Sequence, residues 1–281
     1  MKTTTQLTQR TLTLTAGAAI ALGGLVIGAN PASAQLGTPA GISSDSDDNY
    51  PGAGSGCFID NDCTLQGSLD YLTVDGDFFD VNAAETGYEY FTNTATGSSI
   101  SQFMFEIAGF AADNTFGIFN QSGLKLEIFN GSDTSKDMSM VSFLDNGTVT
   151  SVTQGHPDNG GGIALQTVED FGNVFGFYIT SPQGTFYSDD SMNPNGIRHS
   201  AIYQGDGSFS MDLPGKQPGL FTDNEFIVAF EDKYTGSDWD YNDLVVMVES
   251  VEPADVPEPS LLLGLGAMAG SLFATRKRKR S

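Results

Sequence analysis

Short apolar segments separated by turn-forming residues run through the middle of this 281-residue chain. This pattern restricts the possible folds more than any other feature. Clusters of Gly, Asn, Asp and Ser divide the segments, and no helical period spans residues 100–250. The segments lie at 103–108, 124–129, 138–144, 174–179, 201–204, 226–230 and 244–248. Their length and spacing predict antiparallel β-strands.

Two of these segments indicate how the strands are buried. Residues 124–128 alternate strictly, so Leu124, Leu126 and Ile128 are predicted to face a core and their polar neighbours to face water. Residues 244–248 contain no polar residue, which predicts a central strand covered on both faces. Strands with one apolar face need a second layer, so we expect an all-β fold. The predicted architecture is an antiparallel β-sandwich over residues 65–252, with a jelly-roll-like connection as one option.

The charge of the chain excludes one class of partner. Between residues 35 and 255, five basic side chains face 34 acidic ones, which leaves a net charge of −29. A body this acidic repels phosphate backbones, so we expect no binding to nucleic acid. The chain also contains 20 Phe, enough apolar surface to predict a folded protein despite the high charge.

The first 34 residues are typical of a secretory signal peptide. A weakly basic start precedes an apolar stretch at 12–27, and Ala32-Ser33-Ala34 predicts cleavage between Ala34 and Gln35. Residues 35–64 are predicted to be a flexible acidic lead-in. They contain both cysteines, Cys57 and Cys63, which an exported compartment favours as a disulfide. The alternative, a metal-binding or redox pair, lacks the usual two-residue spacing.

The other end of the chain has a three-part pattern. Pro257, Glu258 and Pro259 precede an apolar segment at 261–274, and residues 276–280 are all basic. A fourteen-residue helix is about 21 Å long, shorter than a hydrocarbon core of roughly 30 Å, so it predicts a marginal membrane span. The basic cluster places that end on the cytoplasmic side and the acidic body outside.

Residues 256–281 thereby resemble the PEP-CTERM sorting signal of Gram-negative and cyanobacterial surface proteins. The resemblance implies recognition by a membrane-embedded exosortase-type sorting enzyme that cuts near the Pro-Glu-Pro motif. It also implies an association with extracellular polysaccharide and a location at the cell surface or in the matrix. Anchoring of the short helix in the inner membrane would be transient or stable. An ordinary C-terminal tail anchor is the alternative.

The densest acidic cluster lies at residues 231–243, between the apolar segments 226–230 and 244–248. Five acids occur within it, and Lys233 is its single basic residue. Crowded carboxylates repel one another unless a cation neutralises them, and Ca²⁺ prefers oxygen ligands. The predicted calcium ligands are Glu231, Asp232, Asp238, Asp240, Asn242 and Asp243. The alternative is a polar hairpin whose side chains cap its own turn. A weaker cluster at 75–80 could place two or three carboxylates around a cation, but an Asp-rich turn that contains Gly needs no metal to form.

An EF-hand loop fits this cluster only in part. Asp238, Asp240 and Asn242 alternate as in the opening of such a loop, and Glu249 occupies the twelfth position. Asp243, however, replaces the required glycine, and the predicted strand at 244–248 leaves no room for a flanking helix. We therefore reject an EF-hand.

The same stretch resembles a bacterial family known as domain of unknown function 4114. The family signature is a Phe-Glu-Asp strand end followed by Asp-x-Asp-Tyr-Asn-Asp-Leu-Val. Here these residues are Phe230-Glu231-Asp232 and the run at 238–245, and His199 lies where the family often carries a His. The resemblance covers about residues 170–250. It implies an extracellular β-sandwich module that binds calcium in secreted and adhesin-like proteins, and it implies no activity.

No catalytic signature occurs in the sequence, so we predict that the chain is not an enzyme. His199 is interpreted as a structural residue. Trp239, the only Trp, either packs at the start of a strand or stacks on a sugar. We expect an exported, surface-sorted, calcium-binding protein with a structural or adhesive role in the extracellular polysaccharide or biofilm matrix. The alternative is a carbohydrate-binding lectin or glycan-active enzyme, because two of the many carboxylates could flank a cleft.

Overall fold

A computed structural model describes residues 64–75, 78–94, 98–105, 108 and 110–254. Among these residues, one α-helix, α1, spans Leu65–Leu72, and three 3-10 turns lie at Pro157–Asn159, Asp190–Met192 and Pro194–Gly196. The strands are β1 (Thr73–Val74), β2 (Phe91–Asn93), β3 (Ser98–Phe105), β4 (Thr115–Phe119), β5 (Lys125–Asn130), β6 (Met138–Phe143), β7 (Val149–Gly155), β8 (Gly162–Val168), β9 (Val174–Ser181), β10 (Gly184–Tyr187), β11 (Ser200–Gln204), β12 (Ser210–Met211), β13 (Gly219–Leu220), β14 (Glu225–Phe230), β15 (Leu244–Glu249) and β16 (Val251–Pro253).

Two antiparallel sheets form a sandwich, which confirms the all-β prediction. The larger sheet has the strand order β11-β14-β15-β3-β6-β7-β8. The smaller sheet has the order β16-β2-β9-β4-β5, with β10 paired to β9. Their inner faces share one core, in which Phe116 and Phe177 of the smaller sheet pack with Phe226 and Val246 of the larger one. Aromatic rings pack against one another in this core, as in Phe91 and Phe226, whose ring centroids lie 5.1 Å apart.

A further layer covers the outer face of the larger sheet at β14 and β15. Ile227, Val245 and Met247 of these strands pack with the apolar face of α1 and with a small sheet of β1, β12 and β13. All residues of β15 except the last are buried, so the prediction of a central strand covered on both faces is confirmed. This double covering fixes the ends of β14 and β15, and therefore the start and end of the acidic loop between them.

Helix α1 follows from local signals. Thr64 caps its first turn, since its side-chain oxygen accepts a hydrogen bond from Gly67 N at 3.0 Å. Leu65, Leu69 and Leu72 fall on one face and are buried. The helix is short, and the prediction of a purely β domain from residue 65 onward missed it.

The strand boundaries differ from the sequence prediction in two informative places. Leu124 is exposed and precedes β5, so its predicted place on the buried face was wrong. The turn at Asn120 explains this, because its side chain accepts a hydrogen bond from Leu124 N at 2.9 Å. Strand β3 begins at Ser98, five residues before the apolar segment, because it buries small polar side chains such as Ser99 and Ser101.

Several predicted features lie outside the described residues. These are the signal peptide with its cleavage at Ala34 and Gln35, nearly all of the acidic lead-in, Cys57 and Cys63, and the segment with Pro257, Glu258, Pro259, the apolar stretch 261–274 and the basic residues 276–280. Within the described residues, no helix has both the length and the apolar character needed to span a membrane.

Candidate metal centre

The acidic loop at 231–243 connects two hydrogen-bonded strands of the larger sheet. Phe230 and Leu244 pair directly at its base, so Glu231 and Asp243 emerge side by side. The Asp243 carboxylate accepts a hydrogen bond from Asp232 N at 2.8 Å, and Glu231 N donates to the His199 carbonyl at 2.9 Å. The loop is therefore closed at its base before its remaining carboxylates are placed.

Two groups of carboxylates converge in this loop. Glu231, Asp238 and Asp240 form the first group, and in each group the oxygens lie within 4.8 Å of one another. The second group consists of Glu231, Asp232 and Asp243. Glu231 belongs to both, and every member except Asp238 is buried. The structure thus brings together all five predicted acidic ligands, with partly exposed Asp238 at the side open to solvent.

Some of these oxygens lack a protein donor. Within the described part of the chain, both carboxylate oxygens of Glu231 and Oδ1 of Asp232 are buried without a hydrogen bond. Asp243 and Ser237 lie close enough to Glu231 to act against the rise in its pKa, but neither makes a hydrogen bond of normal geometry with it. A fully buried carboxylate with no donor is costly.

The other predicted ligands are oriented by neighbouring groups. Asp232 Oδ2 accepts a hydrogen bond from Asn114 Nδ2 at 2.9 Å. Asp240 accepts two hydrogen bonds from Asn242, one from the backbone N at 3.2 Å and one from the side-chain amide at 2.6 Å. In these contacts Asn242 holds the Asp240 carboxylate in place.

Burial controls the ionisation of this cluster. Burial, with a smaller contribution from nearby carboxylates, raises the pKa of Glu231 to about 7 and the pKa of Asp240 to about 8. Burial also raises the pKa of Asp232, and it raises the pKa of Asp243 well above its ordinary value. Burial alone would lower the pKa of Lys233, but the surrounding carboxylates, Asp243 foremost, raise it. One ammonium cannot balance five carboxylates, so the remaining sites must take up protons or a cation.

The backbone of the loop is unusual at two bulky residues. Trp239 and Tyr241 have φ angles of 60° and 57°, in the left-handed region that such side chains rarely adopt. Conformations of this kind cost of order 1–3 kcal/mol each and persist where surrounding contacts hold them. The buried Tyr241 hydroxyl provides one such contact, because it donates to the Arg198 carbonyl at 3.0 Å. These two residues alternate with Asp238, Asp240 and Asn242, so the strained backbone lies where the carboxylates converge.

Comparison with protein families matched residues 110–251 to a family described as a domain of unknown function (DUF4114). The chain belongs to the DUF4114 family. The matched region includes the 170–250 stretch that carried the resemblance and extends further toward the N-terminus. It contains the whole acidic loop together with Asn114. Searches of curated proteins and of solved structures returned no match.

Sequence reasoning missed the distant residues that hold the DUF4114 loop in place. Asn114 is 118 positions from the carboxylate it contacts. Ser181 Oγ donates to the Asp232 carbonyl at 2.6 Å, and the Gln183 side-chain oxygen accepts from Tyr234 N and Thr235 N at 3.1 and 2.9 Å. No sequence pattern near these residues marks them, because they reach the loop only when the two sheets pack on each other.

His199 lies in a packed aromatic environment within the DUF4114 domain. Its ring stacks on Phe186 with centroids 3.9 Å apart, and the centroid of the tilted Trp239 ring is 5.2 Å away. Burial lowers the pKa of His199 to about 4, so the ring is neutral at physiological pH. It is not part of either carboxylate group among the described residues. Trp239 is half-buried and packs against the apolar layer that includes α1.

Proposed function

We propose that this chain is an exported calcium-binding module with a structural or adhesive role at the cell surface. The observation that carries the proposal is Glu231, a buried carboxylate shared by two converging groups, whose oxygens have no protein donor. A divalent cation supplies what the chain lacks there, because it coordinates oxygens that would otherwise be buried and unpaired.

The chemistry of the donors favours Ca²⁺ over other metals. Both groups consist only of carboxylates, which suit hard cations, whereas zinc sites commonly include Cys or His. Ca²⁺ takes six to eight oxygens at 2.3–2.6 Å in flexible geometry, so carboxylates that bind with one or two oxygens fit it well. Mg²⁺ demands near-ideal octahedral geometry and gives up its water reluctantly, so it suits a crowded buried loop less.

A cation in this loop would act on the fold rather than on a substrate. It would link the ends of β14 and β15, and through Asp232 it would also fix Asn114 near the start of β4. Binding to the folded state alone stabilises that state by mass action, and it balances the cost of the strained loop backbone. We therefore propose calcium as a structural component of a surface module.

The proposed location rests on sequence features. The signal-peptide pattern supports export, and the three-part pattern at 256–281 supports surface sorting by an exosortase-type enzyme. The excess of acidic residues supports a role among extracellular polymers, because Ca²⁺ can bridge acidic groups on two molecules. We propose extracellular polysaccharide as the partner on these grounds.

Calorimetric titration of the full-length chain with CaCl₂ tests the proposal. We expect saturable binding that Asp240→Asn weakens at least ten-fold, because this substitution removes one charged ligand from the first group. The control is Glu252→Gln, which removes an exposed carboxylate in β16 and is expected to leave the titration unchanged. Absence of saturable Ca²⁺ binding, or equal weakening by both substitutions, would contradict the proposal.

A groove elsewhere on the larger sheet favours the second candidate, a carbohydrate-binding or glycan-active protein. It has a volume of about 190 Å³, and Met138, Met247 and Phe221 line its apolar part. Glu225 and Glu249 lie directly opposite each other on β14 and β15 and line it as well. Burial, and then the Glu225 charge, raise the pKa of Glu249, as the acid of a carboxylate pair requires.

This second function predicts turnover of at least one member of a panel of acidic and neutral glycans. Glu249→Gln is expected to abolish that turnover while leaving the thermal stability nearly unchanged. Asp223→Asn, at a neighbouring position outside the groove lining, serves as the control. If no glycan is bound or hydrolysed, the second candidate is wrong and the calcium-binding module is unaffected.

A further inference from the structure

Strand β8 forms an open edge of the larger sheet. All seven of its residues pair with β7, from Gly155 opposite Gly162 to Val149 opposite Val168, and its other side has no partner strand among the described residues. The strand contains no charged residue and no proline. Natural edge strands are normally protected by charges, prolines, bulges or covering loops, because an unprotected edge pairs readily with another chain.

The opposite edge of the same sheet is covered. Both the backbone N and the hydroxyl of Thr86 donate to the Ile202 carbonyl of β11, at 2.9 and 3.0 Å. The β11 side chains are also buried, except for that of Gln204 at its end. Only one edge of the larger sheet is therefore open within the described residues, which favours a closed pair of molecules over an endless fibre.

An exposed apolar stripe leads to the β8 edge. Ile163 and Leu165 are 78% and 66% exposed on the outer face of the sheet. Leu165 lies opposite Val152 of β7, which lies opposite Met140 of β6, itself 47% exposed. The stripe crosses three strands and ends at the unpaired edge. Apolar surface in this position indicates an interaction surface.

We propose that two copies of this chain pair antiparallel through β8 about a two-fold axis centred on Ala164. In that register Ile163 of each copy lies opposite Leu165 of the other, and the two apolar stripes become continuous. The sequence around Ala164 is symmetric in character, with an apolar residue on each side, so the edge complements itself. The sheets of the two copies then join into one sheet of fourteen strands.

The neutral, self-complementary β8 edge favours a second copy as the partner, although the charge of the body opposes association. The body of the chain carries a net charge of −29, so two copies repel over most of their surface. Strand β8 carries no charge, so the repulsion between two copies is weakest where their β8 edges face each other. In this register five residues of each β8, 162–166, pair with the other copy. Five residue pairs bury less than a standard interface of about 1,600 Å², so the dimer is concentration-dependent and weak. Salt screens the repulsion and is expected to strengthen the dimer.

The dimer does not depend on the proposed calcium site. Strand β8 lies four strands away from β15 in the larger sheet, which is about 19 Å at the usual strand spacing. The loop at 231–243 and the β8 edge therefore occupy separate regions of the sheet. Failure of either proposal leaves the other intact.

Sedimentation equilibrium of the full-length chain, over a concentration series and at low and high NaCl, measures the association. We expect a monomer–dimer equilibrium that Leu165→Lys weakens at least ten-fold, because each lysine then replaces an apolar contact with Ile163 of the other copy. Leu144→Lys is the control, since it adds the same charge at an exposed apolar residue that lies outside both the stripe and β8. A monomer at every concentration, assembly beyond a dimer, or equal weakening by both substitutions would overturn the proposal.

Cysteine cross-linking tests the register. Opposed residues on paired strands have Cβ atoms about 4.5–5.5 Å apart, so Ala164→Cys is expected to form an intermolecular disulfide under mild oxidation. Gln166→Cys is the control, because in this register the two copies of residue 166 are about 13 Å apart. The unsubstituted chain, with Cys57 and Cys63 only, sets the background. Cross-linking at 166 as strong as at 164, or none at 164 above background, would show the register to be wrong.

Discussion

In millimolar Ca²⁺ the full-length chain is expected to unfold about 5–10 °C higher than in metal-free buffer, and Glu231→Gln is expected to abolish this difference. A ligand at 100 times its dissociation constant stabilises the folded state by about 2.7 kcal/mol. For a domain of 150–250 residues, 1 kcal/mol shifts the melting temperature by about 2–4 °C. Glu231 belongs to both carboxylate groups, so no substitution elsewhere in the loop should remove more of the effect.

Without calcium, Glu231→Gln is not expected to lower the melting temperature. Glutamine keeps the size of Glu231 but cannot ionise, so it removes a buried carboxylate that has no donor. We expect the melting temperature of the variant in metal-free buffer to equal or exceed that of the unsubstituted chain. Differential scanning calorimetry in both buffers measures the four values. Glu252→Gln is the matched control and should retain the full calcium shift, whereas a shift that persists in Glu231→Gln would rule out calcium binding at this loop.

The acidic site could be located from the sequence because its carboxylates are close together along the chain. All five acids lie within thirteen residues of chain, and the apolar segments on either side predicted the strands that close the loop. The supporting contacts could not be predicted in this way. Asn114 contacts Asp232 only because β4 and β14 belong to sheets that pack on each other, and nothing near Asn114 in the sequence marks that role.

The strands that sequence periodicity missed differ physically from those it found. Strand β15 is buried on both faces, so its side chains are uniformly apolar and easily recognised. Strand β8 is exposed along nearly all its length, so burial imposes no alternation on it. The first part of strand β3 buries serines, so a search for apolar residues does not recognise it as a strand. Apolar patterning therefore found β15 and missed β8 and the polar first part of β3. It also missed β4, although this strand buries Phe116 and Ile118.

The pH dependence of stability is expected to reverse when calcium is added. The pKa of Glu231 is raised to about 7 and that of Asp240 to about 8, whereas the unfolded chain releases these protons near pH 4. Between these limits the folded state holds protons that the unfolded state has lost, so stability without calcium falls as the pH rises. Calcium binds the deprotonated carboxylates, so its contribution grows over the same range.

Urea unfolding at pH 5, 6, 7 and 8, in metal-free buffer and in Ca²⁺, measures this reversal. For Glu231 alone, a shift from 4.5 to about 7 corresponds to roughly 3 kcal/mol lost between pH 5 and pH 8 without calcium. Glu231→Gln separates this loss from the general repulsion of the acidic body, because the variant keeps the repulsion and loses the titrating group. Its free energy of unfolding in metal-free buffer should therefore fall less steeply with pH. Parallel curves for the two chains would mean that Glu231 is ionised in the folded state without a bound cation, and the electrostatic basis of the calcium proposal would then be wrong.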